Sequence, residues 1–547
     1  KEEDLARALG QQLGLQVVDL AKHPPSLAAT SRLPSDVARN HMLVPFEVKA
    51  DGTLIVAMVD PTNIVALDEL RMTTGAPRVR PVVAAESVIR AALDQFYPTD
   101  GSGDRHLIGL EAFEQEEQET GEDNVDAKPI VRLANSLVVD AMSMRASDVH
   151  VEPTRGAVRI RFRVDGLLTE VMQVPRAAFA PLISRLKLMA GMDIAERRRP
   201  QDGRMAMVVH GEAVDVRVSA MPAMHGEKVV MRLLRRGAAQ MGLEELHLAP
   251  DVLELIQETA ESLQGIVLVT GPTGSGKTTT VYATLAELAT ITRNVITLED
   301  PIEYELELVN QTQVNPQVGF TFAMGMRTVL RQDPDVLMVG EIRDLETAEL
   351  AFEAAMTGHL VLSTVHTTDA PATIIRMSEL GVERHLLASS LSLVLAQRLV
   401  RLVCEDCAGP DVAIPDERAM RRLRLSPEHL GGHKRRVGAG CTRCTGTGFR
   451  GRAAVIEALR VTPHIRELIT DHATEEEVRE YACSEGMRSM RQDGLIKAMA
   501  GMTTLEEVLR ATPDDQRLDM PALLAHLAAG GDGLRVFRID RRTEPRP

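Results

Sequence analysis

The chain of 547 residues is 44% hydrophobic and 26% charged, with 3% aromatic residues and no Trp. That length admits several domains, each with its own core, and the balance is that of an ordinary globular protein. A net charge of −16 gives no general attraction to nucleic acid, and no apolar run approaches the ~20 residues that a membrane-spanning helix needs.

Residues 1–98 read as one domain. Helix-like Leu5–Leu9 leads to a strand at Leu54–Val59, ended by Asp60-Pro61, and to helices at Ala66–Met72 and Ser87–Phe96. The sequence begins at Lys1 rather than Met, without the basic, apolar and small-residue blocks of a signal peptide. The expected location is therefore cytoplasmic, with a true start upstream of Lys1 and any membrane attachment made through partners. From 99 to 126 the pattern collapses: eight of the sixteen residues from Glu111 to Asp126 are acidic, which predicts a flexible linker because too little apolar area is available to bury. Residues 127–236 read as a second domain, with helices at Ile130–Met144 and Arg176–Ala190 and strands at Asp148–Glu152, Ala157–Val164, Arg204–His210 and Glu212–Ser219. Residues 237–400 alternate strand and helix as a parallel α/β core does. Residues 401–455 carry four cysteines, 456–512 read as helical, and 513–547 as a partly ordered tail.

Gly271-Pro272-Thr273-Gly274-Ser275-Gly276-Lys277-Thr278 satisfies the phosphate-binding pattern G-x-x-x-x-G-K-[ST]. It follows an apolar strand, Gly265–Thr270, and opens a helix, Thr278–Leu288, through Thr279. Glycines let the backbone N–H groups turn toward phosphate, and the helix N-terminus adds partial positive charge. Lys277 is expected on the β/γ-phosphates and Thr278 on Mg²⁺. A second apolar strand, Asp335–Glu341, ends in a carboxylate suited to the same Mg²⁺. A third, Asn294–Leu298, ends at Glu299, Asp300 and Glu303; one of these acids is expected to orient or deprotonate the attacking water. His359 and His366 bracket a further strand, Leu360–Val365, and are candidates for a γ-phosphate contact. Arg204, Arg217, Arg232, Arg327, Arg331 and Arg343 are candidates for neutralising developing phosphate charge, and the pattern alone does not choose among them.

Cys404-x-x-Cys407 and Cys441-x-x-Cys444 stand thirty-three residues apart. Two such knuckles fit a closed, tetrahedral structural Zn²⁺ site; a redox pair and an iron–sulfur cluster are the rival readings. Cys483, in a helix-like stretch, reads as a small buried hydrophobe.

The run Ile296–Tyr304 resembles the aspartate box of secretion ATPases, Met338–Asp344 their Walker B segment and Thr357–His366 their histidine box. Ala146–Pro153 and Pro200–Arg204 are similar to their preceding domain. Together, over roughly residues 1–512, the chain resembles the type II secretion and type IV pilus assembly ATPases. The resemblance implies an α/β fold with a RecA-like P-loop core, a PAS-like α+β domain before it, an N-terminal α/β docking domain and a four-Cys zinc subdomain. It implies a homohexamer that hydrolyses ATP with Mg²⁺ and drives an inner-membrane platform protein, with 1–98 docking onto a membrane-anchored partner. It implies Glu341 as the Walker B acid, Glu303 as the water-activating acid with Glu299 in reserve, His366 as the γ-phosphate sensor, and Arg217 and Arg232 as phosphate-contacting arginines. The zinc element and the N-terminal domain imply assembly rather than retraction. In some members a version of the N-terminal domain binds cyclic di-GMP, which makes that nucleotide a candidate partner. Thr368 departs from the family, which usually has Asn after His-Thr. A nucleic-acid motor and a non-hydrolysing ATP-dependent scaffold remain the alternatives from other classes; the acidic net charge opposes the first, and Glu303 with Glu341 opposes the second.

Overall fold

The computed structural model describes residues 2–96 and 128–515, apart from positions 19, 21–24, 26, 31–32, 34, 50–52, 75, 77, 210–211, 236–240, 263 and 432. The linker expected at 99–126, and the tail beyond 515, lie outside the described residues. Contacts divide the chain into two units. The first holds Lys1–Gly237, Cys404–Gly409 and Gly438–Arg450; the second holds Ala238–Val403, Pro410–Val437 and Gly451–Pro547. The stretch 401–455 is thus shared between them, its cysteines in the first unit and its middle in the second.

In the first unit, β1 (Leu43–Val48), β2 (Leu54–Met58) and β3 (Val79–Val83) form a small sheet, antiparallel between β1 and β2 and parallel between β2 and β3. The central strand β2 is buried at every position, as its unbroken apolar run requires. Leu70, Ile89 and Leu93 from the helices Ile64–Thr74 and Glu86–Phe96 share its core.

A separate six-stranded sheet follows: β4 (Ala146–Pro153), β5 (Ala157–Val164), β6 (Leu167–Pro175), β7 (Gln201–Val209), β8 (Glu212–Ala223) and β9 (Gly226–Arg235). Its order is β6-β5-β4-β9-β8-β7, antiparallel throughout. Period-two alternation sorts its faces: on β5, Val158, Ile160 and Phe162 are buried, while Arg159, Arg161 and Arg163 point the other way. Leu133 and Leu137 from helix Lys128–Ser143, with Leu182 and Leu186 from helix Phe179–Met189, complete the core on the apolar face. A buried ion pair joins Lys187 to Glu227 at 2.7 Å, the two side chains 1% and 7% exposed. Lys187 Nζ also donates to the Glu196 carbonyl at 2.6 Å.

The second unit is built on β10 (Gly265–Thr270), β11 (Val295–Glu299), β12 (Val309–Gln313), β13 (Val336–Val339), β14 (Leu360–Val365) and β15 (Leu391–Val403). After a short pair, β16 (Ala408–Pro410) with β17 (Arg436–Gly438), the chain returns as β18 (Phe449–Arg460). The seven-stranded order is β12-β11-β13-β14-β10-β15-β18. The five pairings from β12 through β15 are parallel. Parallel strands need crossover connections, which cover both faces. Accordingly β10, β13 and β14 are buried at every residue.

Residues 456–460 correct the expectation of a helical region starting at 456: they complete β18. The run Ala453–Leu459 is short and apolar but for Glu457, a pattern that does not separate strand from helix, and pairing in the sheet decides it. Four helices then follow, Pro463–Thr470, Glu475–Ser484, Met490–Met499 and Leu505–Ala511. No helix among the described residues is long and apolar enough to cross a membrane. Lys187→Met, which strands Glu227 as a buried charge, should lower the unfolding free energy by about 3–5 kcal/mol. A fall in the urea midpoint at unchanged slope checks this, and adding Glu227→Gln should recover part of the loss.

Candidate active site

Because β12 through β15 run parallel, their carboxyl ends share one edge of the sheet, where open α/β sheets bind ligands. The loop 271–276 leaves β10 there, Glu341 follows β13, His366 follows β14, Glu299 ends β11 and Glu303 follows it. His359 stands at the opposite, amino end of β14, where its Nδ1 lies 2.8 Å from the Ala354 carbonyl. The strand therefore separates the two histidines, and only His366 joins the site.

The loop wraps over the start of helix Lys277–Leu288. Gly276 sits in the left-handed region at φ +89°, and a Cβ there would come within 2.8 Å of Gln397 Nε2. No side chain caps this helix, so its first N–H groups are left for an anion. Ser275 Oγ is buried without a hydrogen-bond partner, an orphan that a phosphate oxygen would satisfy. Lys277 is buried; its Nζ donates to the carbonyls of Gly271 at 2.8 Å and Pro272 at 3.2 Å, and lies 3.5 Å from His366 Nδ1. Burial lowers its pKa, and the nearby Glu341 opposes that shift. Thr278 and Thr279 are half-buried in the first helical turn.

Glu341 Oε2 is 3.7 Å from His366 Nε2 and 2.7 Å from Arg343 Nε. Lys277, His366 and Glu341 thus form one chain of contacts across three strands, an arrangement with a cation, an imidazole and an acid facing the same space. Gln397, a single amide in the apolar strand β15, was not singled out by sequence reasoning. Its Nε2 donates to the Ser275 carbonyl at 2.9 Å and its Oε1 accepts from Thr280 Oγ1 at 2.8 Å, clamping the loop to the helix. Thr367 N donates to Thr270 Oγ1 at 2.8 Å, tying the turn after His366 to the end of β10.

The two candidate acids after β11 differ sharply. Glu299 is buried, accepting from the Tyr282 hydroxyl, from Thr297 Oγ1 at 2.6 Å and from Gln311 Nε2 at 3.1 Å. Glu303 is half-buried, and its backbone N–H donates to the Tyr282 hydroxyl at 3.3 Å. Tyr304 packs edge-on against Tyr282, ring centroids 4.6 Å apart. Burial and then the two glutamates push the Tyr304 hydroxyl up to about 12, so it stays protonated. Glu299 is spent on internal hydrogen bonds, whereas Glu303 is the more accessible acid.

Arg204, Arg217 and Arg232 stand in register across β7, β8 and β9, and Arg232 Nε donates to Asp148 at 3.1 Å. These arginines belong to the first unit, the phosphate loop to the second. Arg327 pairs with Glu346 at 2.5 Å, and Arg331 donates to the Arg327 carbonyl.

The four thiols in the first unit form a separate cluster. Cys404 and Cys441 Sγ are 3.8 Å apart, Cys407 and Cys444 3.9 Å, Cys441 and Cys444 3.7 Å, and all four lie within 4.8 Å of one another. A tetrahedron with metal–sulfur bonds of about 2.3 Å has edges of about 3.8 Å. Gly448 N donates to Cys444 Sγ at 3.3 Å. At Gly448, φ +75°, a Cβ would strike the Gly438 carbonyl at 2.5 Å, so the strands approach as only glycines allow. Burial and neighbouring thiols push Cys407 up to about 11, a penalty that a bound cation would relieve. Cys483 stands apart; it is exposed as a residue rather than a fully buried hydrophobe.

Comparison with known proteins gives the family of the chain. The family described as Type II/IV secretion system protein matches residues 123–510, and the MshEN domain matches 13–103. The chain is 43% identical over 518 residues to the Type IV pilus assembly ATPase PilB of Thermus thermophilus, covering 94% of this chain and 58% of that protein. It is 47% identical over 504 residues to the Type II secretion system protein E of Aeromonas hydrophila, covering 89% of this chain and 98% of that one. In fold it matches the ATPase DotB of Yersinia pseudotuberculosis, with a TM-score of 0.52 at 21% identity, over 70% of this chain and 92% of that one.

Tyr282→Phe removes one of three donors to the buried Glu299 carboxylate and should destabilise the protein by about 1–3 kcal/mol. Thermal unfolding of the variant, beside Glu303→Gln at near-parental stability, separates the structural acid from the accessible one.

Proposed function

The chain belongs to the type II and type IV secretion ATPase family, with a RecA-like P-loop core, an MshEN-like N-terminal domain and a four-Cys metal-binding subdomain, and on that premise we propose how its residues share the work of a ring-forming motor. The activity is that of a P-loop ATPase of secretion and pilus assembly machines. The observation that carries the site assignment is the contact chain Lys277–His366–Glu341 at the carboxyl edge of the sheet.

In this reading the N–H groups of Gly271 to Thr279, Pro272 excepted because it has none, and the Ser275 hydroxyl cradle the phosphates of ATP. Lys277 moves from its own loop carbonyls to the β/γ-phosphates. Mg²⁺, which would draw negative charge off the transferring phosphoryl group, is held by Thr278 and Glu341. Glu303 receives the proton of the attacking water, Glu299 being engaged elsewhere. His366 contacts the γ-phosphate and registers its departure. Arg217 and Arg232, from a domain we take as PAS-like, supply phosphate-contacting guanidiniums. The assembly is a homohexamer in the cytoplasm, working on an inner-membrane platform protein, with the N-terminal domain docked to a membrane-anchored partner. Cyclic di-GMP is a candidate ligand of that domain, supported by its MshEN match. The four thiolates hold Zn²⁺ as a closed structural site, a choice favoured over a redox pair because all four sulfurs converge.

Phosphate release per subunit should rise cooperatively with protein concentration and vanish in Glu341→Gln; a flat signal that Glu341→Gln does not change would overturn the motor. Elemental analysis should find one zinc per chain. Cys441→Ser should lose it, with a fall in melting temperature reproduced in the parent by a chelator.

A further inference from the structure

Just past His366 lies a charge cluster that the phosphate chemistry does not use. Asp369 caps the helix Ala370–Leu380, its side chain accepting from Ala372 N at 3.0 Å. The next amide, Ala370 N, donates to Glu457 Oε1 on β18 at 2.9 Å. Glu457 is 2% exposed. Arg479, on the helix Glu475–Ser484, spans both acids: its Nη2 is 2.7 Å from Asp369 Oδ1 and its Nη1 3.7 Å from Glu457 Oε2. Arg398 on β15 donates to the Thr368 carbonyl at 3.2 Å.

The turn His366–Asp369 is therefore pinned at two ends. Thr367 fixes its start to β10, where Thr270 Oγ1 lies 2.7 Å from Thr367 Oγ1. Asp369, Glu457 and Arg479 fix its far end to β18 and to the carboxyl-terminal helices. His366 stands one residue ahead of the first pin and is half exposed, so its ring is directed by the turn and by its contacts to Lys277 and Glu341 rather than by close packing. A surface ion pair would be too weak to matter here. This cluster differs because Glu457 is buried, and a buried carboxylate stripped of its counter-ion is a large penalty, which keeps Arg479 in place.

We infer that Arg479 and Glu457 are positioning residues for ATP hydrolysis: they hold the His366–Asp369 turn, and with it the imidazole, against the phosphate edge from outside the nucleotide site. The inference rests on the assignment of His366 to the γ-phosphate. It gives the carboxyl-terminal helix Glu475–Ser484 a direct hold on turnover without a contact to nucleotide. Glu457 accepts the Ala370 amide and pairs with Arg479 best as a carboxylate. Burial pushes it up to about 7 against the pull of that amide and of Arg479, with Asp369 and Asp515 adding to the rise. Cys483 and Arg398 also face it.

The test compares the full-length parent with Arg479→Ala, Arg479→Lys, Glu457→Gln and the Arg479→Ala/Glu457→Gln double variant. It reads kcat and KM for ATP, equilibrium binding of a fluorescent ATP analogue and thermal unfolding. Misplacement of a group contacting the reacting phosphate costs on the order of 10-fold or more in rate. Arg479→Ala should lose about 10-fold in kcat, with analogue binding held within about twofold. Arg479→Lys should recover part of the loss, and the double variant should fall no further than the worse single one, since the residues act as a unit. The parental rate should rise through about pH 7, and Glu457→Gln should flatten that limb. Unchanged kcat in Arg479→Ala, a parallel loss of analogue binding, or additive losses in the double variant would overturn the inference. If Arg479→Ala does not fold, Arg479→Lys and Glu457→Gln carry the same comparison. Parental turnover that survives Glu341→Gln would instead sink the assignment of the site, leaving the two failures distinguishable.

Discussion

The constraint on which the active edge depends is the parallel pairing of β12 through β15. Parallel strands all finish on the same side, so groups distant in sequence arrive together without any of them needing long-range affinity for another. Lys277, Glu341 and His366 come from three different strand ends and touch only because the sheet delivers them. The cost of delivery is borne by apolar burial along the inner strands, β10, β13 and β14 being buried at every residue, which explains why few polar residues interrupt them. Those that do interrupt them are structural: Gln397 clamps the phosphate loop, and Thr270 and Thr364 bond to neighbouring backbone or hydroxyl groups.

Much of this was legible in the sequence where local chemistry is unambiguous. The strand Gly265–Thr270 and the strand Leu360–Val365 are found with the bounds read from their apolar runs. The phosphate loop and the two cysteine knuckles were legible because their spacing is dictated by what they hold. Other features depend on neighbours that the local sequence does not display. Glu299 and Glu303 lie four residues apart with the same chemistry, and only the donors Tyr282, Thr297 and Gln311 tell them apart. Strands β6 and β9 went unread because each takes its definition from the partner it pairs with. The run Ala453–Leu459 suits a helix on propensity and a strand on pairing, and pairing wins. Gln397 had one available signal, a lone amide inside the apolar run Leu393–Val400 broken otherwise by Arg398, which the phosphate motif overshadowed.

The two sites use opposite strategies for charge. At the thiol cluster, burial pushes the Cys407 thiol up, whereas at Cys444 burial is outweighed by the backbone N–H groups of Cys441 and Gly448, which hold it below the ordinary value. At the phosphate loop, Lys277 is kept charged by lending its protons to its own loop carbonyls and by the nearby Glu341. The four sulfurs of the first converge on one another, whereas the second keeps a buried hydroxyl without a hydrogen-bond partner and a helix start without a side-chain cap.

The Tyr282–Tyr304 pair has an optical consequence. The chain contains four tyrosines and no tryptophan, and two of the four stack edge-on beside Glu299. Two of the four rings thus sit beside the candidate site, and the bond from the Tyr282 hydroxyl to a carboxylate is a quenching contact, so loosening it should brighten the tyrosine emission. Rearrangement of that edge is open to observation in the unlabelled protein, with no tryptophan elsewhere to drown the signal.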